Sequence, residues 1–222
     1  MVLLNNDNKK IMSKIIEQLN WRYATKKFDT DKKLSKAKIE ILKESFNLTA
    51  TSFGLQTIKM LIVTNEHIKK SLVPDAYNQN QVAEASHLLV ICIQKNITDS
   101  DVIDYFNNVK RLRNTPDAIL DPFRKNLLKT MRDKSVEQRQ QWSMNQAYIV
   151  LGNLMTVCAI EGIDACPMEG FVSEKYDELL NLDEKGLKSV LLLPVGYRAE
   201  DDMFASFKKV RKSLEETIIE IN

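Results

Sequence analysis

The hydrophobic positions of the chain fall into short apolar runs separated by longer segments of helical period. The runs at 58–63, 87–93 and 189–196 are rich in aliphatic, partly β-branched residues. Periodicity alone cannot distinguish runs this short from buried helix, but their β-branched content favours strands buried on both faces. Elsewhere, apolar residues recur at the spacing of one helical face. This pattern predicts helices over about 10–20, 35–46 (with Ser35 as N-cap), 66–72 and 78–85.

The longest helical pattern covers residues 136–162 and changes character along its length. Its first half is polar, whereas from Ala147 onward nearly every face is apolar. A helix that is apolar all round must be covered on all sides. In a chain of 222 residues, we expect this helix at the centre of the molecule and in a subunit interface as well.

Residues 99–134 form a highly charged middle segment. Pro116 and Pro122 interrupt its helical pattern, and we expect both to break the helix. The composition predicts a helical excursion on the surface, such as a lid or an arm that covers a pocket. No repeat, low-complexity tract or linker divides the sequence, so we predict a single domain over residues 1–222.

Composition argues against several kinds of partner. The 32 basic and 30 acidic residues leave a net charge of +2, which favours neither nucleic acid nor a membrane surface. No apolar run approaches membrane-spanning length, and the apolar start of the chain is too short for a signal-peptide core. Three cysteines without a C-x-x-C pair predict reduced thiols and a cytoplasmic protein. With two histidines and no clustered cysteines, no metal site is expected.

The sequence lacks the familiar loops for nucleotide binding and acyl transfer. It contains no G-x-x-x-x-G-K-[ST], G-x-G-x-x-G or G-x-S-x-G pattern. A phosphate would therefore need Arg and Lys side chains. In extended segments, Arg22, Ala24 and Lys26 would project to one side, as would Lys209 and Arg211. Each segment is also compatible with an ordinary solvated basic patch.

The segment 166–171, Cys-Pro-Met-Glu-Gly-Phe, directly follows the long helical pattern. Pro167 fixes φ and has no N–H, and Gly170 allows the backbone to approach a flat ligand closely. The amides of Glu169 and Gly170 could then face acceptors on the edge of a heterocycle. A plain turn after a helix is the alternative interpretation.

Taken together, these segments resemble the flavin-dependent nitroreductase family, in the branch of oxygen-insensitive NAD(P)H nitroreductases and dihydropteridine reductases. The resembling segments, in the family's order, are 22–29, 49–58, 78–87, Trp142 and Gln146 leading to 162–171, 194–197, and Lys209 with Arg211. The resemblance implies an α+β, nitroreductase-like fold with a central, mostly antiparallel sheet flanked by helices. It also implies a homodimer with the long buried helix at its interface.

The same resemblance implies bound FMN, with NADH or NADPH as hydride donor. Arg22, Lys209 and Arg211 would hold the phosphate, and Lys26 would lie near the N1/O2 edge of the flavin, where reduced flavin carries negative charge. Asn78 would bond the pyrimidine edge. The full set of implied cofactor-binding residues is Arg22, Tyr23, Ala24, Lys26, Ala50, Thr51, Ser52, Gly54, Gln56, Asn78, Gln81, Gln146, Pro167, Met168, Glu169, Gly170, Lys209 and Arg211.

Within that set, Pro167 and Met168 would pack against one face of the flavin ring. The amides of Glu169 and Gly170 would lie near N5 and O4, and the loop 49–56 would reach across from the other subunit. The sequence departs from the family at three of these positions. They are Ala24 in place of Ser, Gln81 in place of Lys, and Gly54 in place of Asn.

The function that the resemblance implies is a ping-pong transfer of hydride through FMN N5, without an obligatory catalytic side chain. The acceptor would be a nitroaromatic, a quinone, a pteridine or free flavin. Phe106 and Phe123 in the excursion are candidates to stack on it, or they simply pack between surface helices. The alternatives are a dihydropteridine or free-flavin reductase, an FMN-binding protein without turnover, and a basic helical adaptor without cofactor.

Overall fold

The computed structural model describes residues 13–221 and contains a small sheet surrounded by helices. The beginning of the first predicted helix, including Ile11, lies outside the described residues. The helices are α1 (Lys14–Trp21), α2 (Lys36–Leu48), α3 (Glu66–Ser71), α4 (Gln81–Glu84), α5 (Asp99–Arg113), α6 (Asp117–Arg132), α7 (Val136–Ile160), α8 (Ser173–Leu179) and α9 (Leu214–Thr217). The strands are β1 (Ile58–Val63), β2 (His87–Gln94), β3 (Asp164–Ala165) and β4 (Leu187–Gly196).

The four strands form one antiparallel sheet in the order β1-β2-β4-β3. The register pairs Ile58 with Ile93 between β1 and β2, and His87 with Val195 between β2 and β4. The three strands predicted from apolar runs are all present, whereas the short β3 was not predicted. The α+β fold with a mostly antiparallel sheet is thereby confirmed.

Strand β2 lies in the interior of the sheet and is covered on both faces, which explains why its sequence is a continuous apolar run. Alternate residues of a strand point to opposite faces. Leu89, Ile91 and Ile93 pack with residues of α2 and α7. Leu88, Val90 and Cys92 pack on the other face with residues around α3, α4 and α8.

Helix α7 crosses the first of these two faces. It begins at a capping box, in which the Ser135 side chain accepts from the Gln138 N–H and the Gln138 side chain accepts from the Ser135 N–H. Val150 and Leu154 are buried in the core, but Tyr148 and Ile149 remain exposed. The prediction of burial on all sides therefore holds for only part of the helix within one chain.

The excursion at 99–134 is a pair of helices, α5 and α6, with their own small core. Helix α5 ends at Arg113 with Asn114 as its C-cap, and Pro116 is the N-cap of α6, so the predicted break at Pro116 is present. The prediction for Pro122 was wrong, because it lies inside α6 without breaking it. Proline there costs a backbone hydrogen bond. Burial of neighbouring Leu120 and Leu127 in the α5–α6 core offsets that cost.

None of the helices within residues 13–221 combines the length and the apolar character needed to cross a membrane.

Candidate functional site

The segment 22–28, which follows α1, forms no helix or sheet strand of its own, but it is fixed against the end of the sheet. The Thr25 N–H donates to the Ala165 carbonyl oxygen at 3.3 Å, and the Asp29 N–H donates to that of Tyr197 at 2.8 Å. Gly196 makes this approach possible. A Cβ at that position would lie 3.0 Å from the Phe28 ring and 3.1 Å from the Ser86 nitrogen. The glycine of the Pro-Val-Gly-Tyr motif is thus required by close packing.

This segment and the region after β4 enclose a pocket of about 330 Å³. Its lining is Arg22, Tyr23, Ala24, Lys26, Phe204, Phe207, Lys208, Lys209 and Arg211. Arg22, Lys209 and Arg211, which the family resemblance implied as one phosphate site, are therefore brought together, and Ala24 and Lys26 lie beside them. Among the described residues, none of the five cations in the lining forms an ion pair with a carboxylate.

The electrostatics of the pocket favour an anion. Burial, and then the positive charge of Arg211, lower the pKa of Arg22. Burial, and then the charges of Arg22 and Arg211, lower the pKa of Lys209. The Lys209 ammonium donates to the Arg22 carbonyl oxygen, which leaves its charge uncompensated. A bound phosphate would relieve this repulsion and supply acceptors for the cations.

Arg198 anchors the same segment from its other side, and the sequence interpretation missed it. Its guanidinium lies 4.4 Å from the centroid of the Trp21 ring and 4.5 Å from that of Tyr23. The Arg198 Nε donates to the buried Asp164 at 2.7 Å. The main-chain N–H of Arg198 donates to the second oxygen of the same carboxylate at 2.9 Å. The two aromatic residues thus flank Arg22 in sequence and hold the segment in place.

The loop after β3 continues along β4. The Cys166 N–H donates to the Pro194 carbonyl oxygen, and Met168 exchanges two main-chain hydrogen bonds with Leu192 at 2.9 and 3.0 Å. The Met168 side chain is 5% exposed and lies in the core, so a contact of this residue with a flavin stays a prediction. Alternation along the extended segment buries residues 166 and 168 and leaves Pro167 partly exposed.

Glu169 and Gly170 follow this extended stretch at the surface. Neither N–H donates to an acceptor in the described part of the chain. Gln79 supports the loop, since its Nε2 donates to the Gly170 carbonyl oxygen at 3.0 Å. Asn78, next to it, has a left-handed backbone with φ of 57° and is exposed, whereas Gln81 is buried at the start of α4. Gln79 was also missed from the sequence, where it was one of several polar residues without a distinguishing pattern.

The loop 49–57 lies elsewhere, against α7. Gln146 is buried, and its Oε1 accepts from the Ser52 N–H at 2.9 Å while its Nε2 donates to the Trp142 carbonyl oxygen. Gly54 and Gln56 have left-handed φ angles, and Ala50 is exposed. Thr51 Oγ1 is buried without a hydrogen-bond partner among the described residues. Within one chain this loop does not line the basic pocket, so its role at a partner's site stays a prediction.

The loop 49–57 does meet the excursion through aromatic contacts. Phe53 lies 6.4 Å from Phe123 and 6.1 Å from Trp142 between ring centroids. Phe123 is 44% exposed, but Phe106 is buried beneath it at 5.4 Å. Phe106 therefore packs within the excursion, which agrees with the packing alternative given for it from the sequence.

Within residues 13–221, no group of three or more His, Cys, Asp or Glu side chains is arranged to hold a metal ion. The three cysteines at 92, 158 and 166 are buried and unpaired. Burial is the main cause that raises their pKa values, to about 12 for Cys92 and Cys158.

The protein is therefore an α+β protein with a basic pocket whose cations have no carboxylate partners among the described residues. Comparison with known proteins gives the family. The sequence model of the Nitroreductase family matches residues 19–197. A Staphylococcus haemolyticus protein named "Putative NAD(P)H nitroreductase" is 32% identical over 212 residues, which are 92% of this chain and 95% of that protein. The chain belongs to the nitroreductase family.

Solved structures agree on the fold. A Bacillus subtilis structure described as a "putative nitroreductase" has a TM-score of 0.82 at 20% identity, and the match covers 92% of this chain and 97% of that chain. A structure from Exiguobacterium sibiricum, described as a "putative nitroreductase in complex with FMN", has a TM-score of 0.81 at 19% identity. It covers 95% of this chain and 98% of its own.

Proposed function

We propose that this protein is an FMN-dependent NAD(P)H oxidoreductase that reduces nitroaromatics, quinones or related acceptors. The observation that carries the proposal is the cluster of Arg22, Lys209 and Arg211, three cations without carboxylate partners among the described residues, in one pocket. Family membership and the names of the relatives support the same class of reaction. The FMN complex of the Exiguobacterium structure supports the cofactor.

The residues present fit FMN in two places. The basic pocket offers charge and volume for a phosphate group, and the phosphate would relieve the repulsion that lowers the pKa values of Arg22 and Lys209. The Thr25 N–H donates to the Ala165 carbonyl oxygen and so connects the segment that contains Arg22 to β3. The extended stretch that leads to Glu169 begins there. The free amides of Glu169 and Gly170 are thus on the same continuous framework as the pocket. They can donate to the polar edge of a flat ring.

The chain's own contribution to the reaction is binding and orientation. FMN would supply an N5 atom that accepts hydride from NADH or NADPH and returns it to an acceptor. Arg22, Lys209 and Arg211 would fix the phosphate end, and the two free amides would orient the ring edge. Lys26 would stabilise negative charge that develops on the ring. No side chain is required to act as acid or base in this scheme.

The exposed face of Phe123 beside Phe53 is a candidate surface for a planar acceptor. The second candidate function is a dihydropteridine or free-flavin reductase, whose substrates are equally planar. We further propose a homodimer, since apolar residues of α7 such as Ile149 and Ile160 stay exposed in one chain. A cytoplasmic location is part of the same proposal and rests on the sequence.

The test is to purify the protein, record its flavin absorbance, and mix it anaerobically with NADH and, separately, NADPH in a stopped-flow instrument. Bleaching of stoichiometric FMN, followed by reoxidation with a nitroaromatic or quinone, supports the proposal. Faster reoxidation by a dihydropteridine-type substrate or free flavin favours the second function. A protein that binds no FMN, or binds it and is not reduced by either nucleotide, rules the proposal out.

A further inference from the structure

The basic pocket is assembled from two segments that are far apart in sequence, around residues 22–27 and 202–211. Its cations repel one another, and one of them, Lys209, joins the segments through its hydrogen bond to the Arg22 carbonyl oxygen. The other described side-chain hydrogen bonds between the two segments converge on one carboxylate, Asp202, which is 5% exposed. This residue lies outside every motif that marked the site in the sequence.

The Asp202 carboxylate accepts hydrogen bonds from both segments. Its Oδ2 accepts from the Tyr23 hydroxyl at 2.8 Å and from the N–H groups of Lys26 and Lys27 at 2.9 and 3.2 Å. Its Oδ1 accepts from the Phe204 N–H at 3.1 Å and so caps the turn that leads to Lys209. These contacts fix the register of the first segment against the second.

The negative charge of Asp202 is unfavourable for the binding of an anion in the basic pocket. A carboxylate near an anion site weakens anion binding by repulsion, so electrostatics alone would favour its removal. Burial raises the pKa of Asp202, but the hydrogen bonds from the Lys26, Tyr23, Lys27 and Phe204 donors outweigh burial and lower it overall. The carboxylate therefore stays charged while its oxygens are directed to the donors of the two segments.

We propose that Asp202 is a positioning residue that preassembles the phosphate-binding cluster, and that FMN affinity depends on its hydrogen bonds despite its unfavourable charge. The inference rests on the proposed function, because it takes the pocket as the FMN phosphate site. It assigns Asp202 no contact with the cofactor. Its effect passes through the positions of Arg22, Lys26 and Lys209.

The two interpretations of Asp202 predict opposite signs for Asp202→Asn. If repulsion dominates, the variant binds FMN more tightly. If positioning dominates, it binds FMN about tenfold more weakly, the effect of impairing a hydrogen-bonded charge contact. Asp201→Asn is the matched control. It removes the same charge from the adjacent exposed residue, whose partner is Lys27, and should leave FMN affinity within about twofold.

The experiment measures dissociation constants of FMN and riboflavin for the apo forms of wild type, Asp202→Asn and Asp201→Asn. We expect Asp202→Asn to weaken FMN and leave riboflavin, which lacks the phosphate, nearly unchanged. Equal weakening of both flavins indicates a general structural role and overturns the inference, as does unchanged or tighter FMN binding. If wild type itself does not prefer FMN to riboflavin, the proposed phosphate site is wrong instead.

A second variant covers the case in which Asp202→Asn does not fold. Tyr23→Phe removes one donor to Asp202 and keeps the aromatic ring beside Arg198. Positioning predicts that FMN affinity falls by about threefold to tenfold, an ordinary hydrogen-bond effect, with riboflavin unchanged. FMN affinity equal to that of wild type in Tyr23→Phe contradicts the proposal.

Discussion

The hydroxyl group of Tyr148 on α7 donates a hydrogen bond of 2.5 Å to Oε1 of Glu169 in the loop after β3. This hydrogen bond is the main cause that raises the pKa of Tyr148. It directs the Glu169 side chain towards α7, while the main-chain N–H of Glu169 stays free of protein acceptors in the described part of the chain. The carboxylate of this residue is thus engaged by α7, and its amide is available to a ligand.

The first prediction concerns Glu169. If its amide and not its carboxylate serves the flavin, Glu169→Gln should retain FMN. It should change the rate of hydride transfer by less than about tenfold, or about 1.4 kcal/mol. The measurement is anaerobic single-turnover reduction of bound FMN by NADH and NADPH. Tyr148→Phe, which removes the other partner of the same hydrogen bond, should have an effect of similar size.

Gly170→Val serves as the contrasting variant. A Cβ at Gly170 would lie 3.2 Å from Gln79 Nε2 and 3.5 Å from the Tyr77 ring, so a β-branched side chain would displace the support of this loop. We expect a larger loss of FMN binding and reduction than in Glu169→Gln. Loss of reduction in Glu169→Gln with a nearly silent Gly170→Val would show that the carboxylate, not the backbone, carries the function.

The second prediction concerns the cations of the basic pocket. Each charge-assisted contact to phosphate contributes about 1.5–3 kcal/mol. Arg22→Ala or Arg211→Ala should therefore weaken FMN binding about tenfold or more, as measured by flavin fluorescence titration. Riboflavin should bind poorly to wild type and respond little to either change. Lys212→Ala, a nearby cation outside the pocket lining, is the control. Equal losses for riboflavin and FMN would refute the phosphate assignment.

The sequence was sufficient for the parts of the fold and site that depend on local pattern. The continuous apolar run of β2 predicted burial on both faces, and Ser35 was correctly placed as the N-cap of α2. Arg22, Lys209 and Arg211 were grouped by the resemblance to the family, since composition alone cannot choose among 32 basic residues. The first two signals are local, and the third depends on family motifs.

Other features depend on contacts that no local pattern encodes. Asp202 is one of 30 acidic residues, and only the fold brings its carboxylate to the N–H groups of Lys26 and Lys27. The burial of the Met168 side chain follows from the pairing of Met168 with Leu192, which no local pattern indicates. Pro122 was expected to end a helix, and tertiary packing overrode that preference. In each case, long-range packing decided the outcome.

The third prediction concerns pH and His87. Burial, followed by the charges of Lys69, Lys33 and Lys43, lowers the pKa of His87 below its ordinary value of 6.5. The unfolded chain then binds more protons than the folded chain in the window between the lowered pKa and 6.5. The contribution to stability is complete above pH 6.5 and is lost as pH falls through the folded pKa.

Urea unfolding at pH 7.5 and 5.5 measures this dependence. Wild type should lose stability between the two values, and His87→Gln should lose less. His67→Gln, which removes the exposed histidine of α3, should retain the wild-type dependence. An identical loss in wild type and His87→Gln would assign the pH dependence to other groups.

The last prediction concerns assembly through α7. We expect a homodimer with a hydrophobic interface above roughly 2,000 Å² in total. A charge at Leu151 or Leu154, the obvious choice from the sequence, would test folding and not assembly, because both side chains are buried in the core of one chain.

A charge at Ile149, which is 49% exposed on the same helix, separates the effect on assembly from the effect on folding. Ile149→Glu should remain folded, as judged by circular dichroism, and should weaken the affinity of dimerisation about tenfold or more. It should also lose FMN, because the site is expected to need both chains. Ile68→Glu, the same change on α3 across the sheet, should leave the dimer intact. Light scattering together with flavin absorbance of each purified variant gives the answer, and an Ile149→Glu monomer that keeps stoichiometric FMN would show that one chain builds the site alone.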